Sequence, residues 1–117
     1  MADAVVMQVG MLGEHALDAA ARFHGEWAAK ARAELSGGAG ALTIVLAPAP
    51  FDHADWRRAA ARDLARAYPD TRVNIVAGDD PAAIDAACAF LADAPGITGQ
   101  YLELDGFGAG NPSGLNG

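Results

Sequence analysis

Four short apolar runs punctuate the chain, at residues 4–9 (AVVMQV), 41–47 (ALTIVLA), 72–77 (RVNIVA) and 100–104 (QYLEL). Nearly unbroken runs of this length suit strands buried on both faces of a parallel sheet. Between them the apolar positions change to a helical period. Ala16, Ala20, Phe23, Trp27 and Ala31 fall at steps of four, three, four and four, which predicts a helix over 14–35. Trp56, Ala60, Leu64 and Ala67 mark a second helix to about Tyr68, with the arginines on its outer side. Ile84, Ala87, Cys88 and Leu91 mark a third over 81–94. Strand and helix therefore alternate as β-α-β-α-β-α-β. That order predicts right-handed βαβ units in one α/β domain, a truncated Rossmann-like three-layer fold with about four parallel strands.

Turn residues sharpen the boundaries. Gly10 and Gly13 turn the chain after the first run, and 36–40 (SGGAG) close the first helix. Gly25 lies inside that helix, where glycine costs about 1 kcal/mol against alanine. Pro48 and Pro50 stop the second strand, and Asp52 or His53 is placed to cap the next helix. Gly78 releases the third strand, Asp79 or Asp80 caps, and Pro81 occupies a first-turn site that tolerates proline. The domain is expected over 1–106, with the glycine-rich 107–117 as a flexible tail.

Composition agrees with a packed domain, since 52% of the 117 residues are hydrophobic. Much of that is alanine, so the core should rest on Val5, Val6, Ile44, Val45, Leu46, Val73, Ile75, Val76, Leu102 and Leu104. A net charge of -7 argues against nucleic-acid or anionic-membrane partners. Arg57, Arg58, Arg62 and Arg66 are expected as a solvated face pairing with Asp55 and Asp63. The single cysteine, Cys88, cannot form an intramolecular disulfide. No run is long enough for a membrane span, and the N-terminus lacks a basic leader, so a cytoplasmic location is expected.

Arg72-Val73-Asn74, an alanine-rich helix begun by acid and proline, Thr98-Gly99-Gln100 and Asp105-Gly106 follow one another in order. In this combination the chain resembles the C-terminal half of the short-chain dehydrogenases/reductases. The resemblance implies a Rossmann-like sheet and subunit association through the long helices. It also implies a nucleotide-binding TGxxxGxG turn and a Ser with a Tyr-x-x-x-Lys pair, for which these residues offer no counterpart. Ala47 or Pro48 stands where the serine would be, the tyrosine would fall near 48–51, and the only lysine, Lys30, is in another helix. No catalytic, cofactor-binding or metal-binding residue is carried over.

His15, His24 and His53 are the remaining ligand types and are read as surface or helix-end histidines. The leading expectation is a catalytically inactive, cofactor-free module that forms a homo-oligomer, dimer or tetramer, with Trp27, Trp56 and Phe90 as interface anchors. One rival is the C-terminal half of a split NAD(P)-dependent oxidoreductase, with a protein partner supplying the missing half. Another is a small-ligand-binding regulatory domain, with its cleft near Gly10, Pro48 and Gly78, where open α/β sheets place ligands.

Overall fold

The computed structural model describes residues 3–104, so Asp105-Gly106 and the proposed tail at 107–117 lie outside the described residues. Strands β1 (Ala4–Gln8), β2 (Ala41–Leu46), β3 (Arg72–Ala77) and β4 (Tyr101–Glu103) form one sheet in the order β1-β2-β3-β4. Every pairing is parallel.

Because side chains alternate along a strand, the sheet has two separately packed faces. Leu42, Ile44, Leu46, Val73 and Ile75 point to one face and meet Phe23, Ala31, Leu35, Ala60, Ala61 and Leu64. Phe23 comes from the π-helical turn at Phe23–Trp27 and the others from α2 (Ala28–Ser36) and α3 (Ala54–Ala67), with Ala19 of α1 (Ala16–Arg22) in the same cluster. Val45 and Val76 point the other way and meet Leu91 of α4 (Pro81–Ala92), with Ile84, Ala87 and Cys88 beside it. Asp80 caps α4 by accepting from the Ala82 amide, and Pro81 opens the helix.

This sidedness corrects the expectation of uniformly right-handed units. The chain steps in the same direction across the sheet three times, yet α4 lies on the face opposite α1–α3. The third crossover must then have the opposite hand from the first two. With the first two taking the usual right-handed form, β3-α4-β4 is left-handed. A helix on each face completes the three layers.

Side-chain hydrogen bonds from β3 hold the unusual connection. Arg72 Nη1 donates to the Leu91 and Ala94 carbonyls at 2.6 and 3.0 Å, and Nη2 donates to Ala92 O at 3.2 Å, satisfying the carbonyls left over at the end of α4. Asn74 Nδ2 donates to Ile97 O, and its Oδ1 accepts from the Gln100 amide, both at 3.0 Å. Thr98 Oγ1 accepts from Val73 N at 2.9 Å. Gly99 has φ +73°, a left-handed conformation that glycine adopts most readily, and its amide donates to Val73 O. The two sequence triplets are thus halves of one clamp.

Three further expectations change. Strand β1 is not buried on both faces, because Ala4, Val6 and Gln8 are exposed on the side that α4 leaves uncovered, and Val6, assigned to the core, is 48% exposed. The first long helix is interrupted by a π-helical turn over Phe23–Trp27, around Gly25. Four-residue steps drift by about 40° each on a regular α-helix, and the extra residue of a π-turn absorbs part of that drift. His53 occupies the N-cap position of α3 but makes no capping bond there, because a 3₁₀ turn over Phe51–His53 leads into the helix.

Candidate functional site

The loops after β1 and β2 enclose a cavity of about 280 Å³ at the C-terminal end of the sheet, lined in part by Gly10, Leu12, Pro48, Pro50, His53 and Arg57. Proline at 48 and 50 prevents the chain from coiling directly into α3, so the loop stands away from β2 and leaves this space. Gly78 lines a different cavity, of about 360 Å³, with Gln8, Val45, Asp79 and Asp85. The three cleft residues expected from sequence therefore divide between two cavities. Gly10 and Pro48 come together, and Gly78 does not join them.

The first cavity is lined by two buried polar side chains, His53 and Arg57, of which Arg57 was expected on the outer face of its helix. His53 is only 2% exposed and is fixed from both ends. Its Nε2 lies 2.9 Å from the Glu14 carbonyl, and Trp56 Nε1 donates to its Nδ1 at 3.3 Å. A carbonyl can only accept, so Nε2 carries the proton and Nδ1 is the acceptor. Burial thus separates His53 from a surface histidine, although it does stand at a helix start. His24 instead packs edge-on against Phe23 at 5.4 Å.

Arg57 is also not on the outer face of α3; it is 4% exposed. Its Nη1 donates to Ala47 O at 2.9 Å and to the Tyr101 hydroxyl at 3.2 Å. The guanidinium carbon lies 5.5 Å from the Trp56 ring centroid and 5.8 Å from that of Tyr101. Its Nε is buried without a hydrogen-bond partner among the described residues. Of the expected arginine pairs, Arg58 approaches Asp55 at 3.7 Å, while Arg57 makes no ion pair among the described residues. The sequence signal available was weak. Arg57 lies three residues before the buried Ala60 and four before the buried Ala61, so a helical stripe drawn through those alanines would have included it.

The expected interface residues divide between the two sides of the sheet, with Trp27 and Trp56 on one and Phe90, on α4, on the other. Trp27 packs against the sheet core with Lys30 Nζ 4.2 Å from its ring centroid, and Trp56 packs at 5.5 Å from Phe23. Phe90, on α4, is exposed. Among the described residues no three His, Cys, Asp or Glu side chains gather as metal ligands, and no helix is long and apolar enough to cross a membrane.

An all-parallel sheet, helices on both faces and a cavity at the strand C-termini define a Rossmann-like α/β protein. Residues 7–104 match a family described as short chain dehydrogenase-like protein, and the chain belongs to that family. No curated protein and no solved structure matches it significantly.

Proposed function

We propose that this protein is a non-catalytic, short-chain-dehydrogenase-like module that self-associates through β1. The open state of β1 carries this reading. The strand pairs only with β2 among the described residues, its sequence AVVMQ has no charge, and Val6 faces solvent on the uncovered side. Edge strands that stay monomeric are commonly guarded by charge, proline or a covering element, and among the described residues β1 has none of these. A second copy related by a two-fold axis would pair β1 with β1 antiparallel, joining two four-stranded sheets into one.

The wall formed by the loop after β2 supports the non-catalytic part, and Glu14, on the loop after β1, is the one lining carboxylate. Ala47, Pro48, Ala49 and Pro50 offer no group that can pass a proton. His53 has both ring nitrogens engaged, so it is not a free base.

Sedimentation velocity on the full chain and on Val6→Lys tests the association. The expected result is a dimer for the natural chain at micromolar concentration, and at least a roughly tenfold weaker dimer for Val6→Lys with an unchanged circular dichroism spectrum. A natural chain that remains monomeric at 100-fold higher concentration, or a Val6→Lys variant that dimerises equally well, would overturn it.

A further inference from the structure

Arg57 presents an unresolved electrostatic problem beside an empty volume. A buried cation is costly unless a counter-charge and a full set of acceptors surround it. Arg57 is 4% exposed, has no carboxylate partner among the described residues, and keeps one buried donor, Nε, without a partner. The same residue lines the cavity formed by the loops after β1 and β2.

We propose that this cavity binds a small monocarboxylate, with the carboxylate on the Arg57 guanidinium and an apolar tail against Met11, Leu12 and Pro48. The rest of the wall selects this class. His53 and Glu14 are the other ionisable residues lining it. His53 already uses both nitrogens within the protein, so no second strong donor awaits the additional oxygens of a phosphate. Glu14 adds a negative charge that disfavours a dianion. A guanidinium fork matches the two oxygens of one carboxylate. At about 280 Å³ the space lies just below the usual range for ligand sites, which fits a short chain of four to eight carbons. Exposed Met11 lines the cavity and gives such a tail an apolar approach.

Calorimetric titration and amide-shift mapping with hexanoate, hexanamide and inorganic phosphate test the assignment on the full chain. Hexanoate should saturate, with amide shifts concentrated at residues 10–14 and at Ala47 and Ala49. Hexanamide, and hexanoate with Arg57→Met, should each bind at least about tenfold more weakly. Failure of hexanoate to saturate, equal affinity for hexanamide, or tighter binding of phosphate would overturn the proposal. If Arg57→Met does not fold, Ala49→Trp, which fills the cavity from a half-buried wall position, must abolish binding; unchanged affinity would refute it. The monomeric Val6→Lys variant should retain hexanoate binding, so this site and the β1 association fail or stand separately.

Discussion

Asn74 offers the most quantitative test of how the left-handed crossover is held. It is 2% exposed, and its amide satisfies both the Ile97 carbonyl and the Gln100 amide. Replacing it with leucine keeps the branched outline, with bulkier methyl groups, and leaves both backbone groups without that partner. A buried group stripped of its hydrogen bond costs about 1–3 kcal/mol. Gln100 is exposed and can recruit water, so the combined loss should be about 2–4 kcal/mol. For a domain of this size, each kcal/mol lowers Tm by about 4 °C, giving a fall of roughly 8–16 °C. Thermal and urea melts followed by circular dichroism measure this directly. A companion Asn74→Asp keeps the acceptor for Gln100 but faces a carboxylate toward Ile97 O. Its folded-state pKa should therefore rise, so its deficit relative to the natural chain should shrink as pH falls toward 4, when the protonated acid can donate. A loss below about 1 kcal/mol for Asn74→Leu would refute the idea that this side chain fastens the crossover.

Gly99→Ala should cost about 1–2 kcal/mol in urea melts, because φ is +73° and the new methyl would lie 3.4 Å from Ala65 Cβ; a neutral result would contradict the left-handed turn. Burial, with Asp85 adding a like-charge effect, pushes the Cys88 thiol up from its ordinary pKa. Iodoacetamide at pH 8 should then alkylate Cys88 more slowly than a free cysteine, with the two rates converging in denaturant. Equal rates in the folded state would show that the thiol is neither screened nor shifted.

Local chemistry made much of the fold legible. The apolar run of β3 ends at Ala77 both in the sequence pattern and in the fold, and Asp80-Pro81 opens α4 as capping rules require. Arg72-Val73-Asn74 and Thr98-Gly99-Gln100 were recognisable as family marks, whereas their joining into one hydrogen-bonded clamp requires two segments about 25 residues apart to meet. Cavity residues were legible only as positions at strand ends. Gly10 and Pro48 share a wall, but the sheet separates them from Gly78.

The sequence alone determined the alternation of strands and helices, because periodicity reports which side of its own element each residue occupies. Tertiary structure decided which sheet face each helix covers. It therefore decided that α4 crosses to the opposite side, that Val6 remains open to solvent and that Arg57 is carried inward beside a cavity. Those outcomes depend on how separate elements are stacked, and a helix's own period cannot encode what lies opposite it.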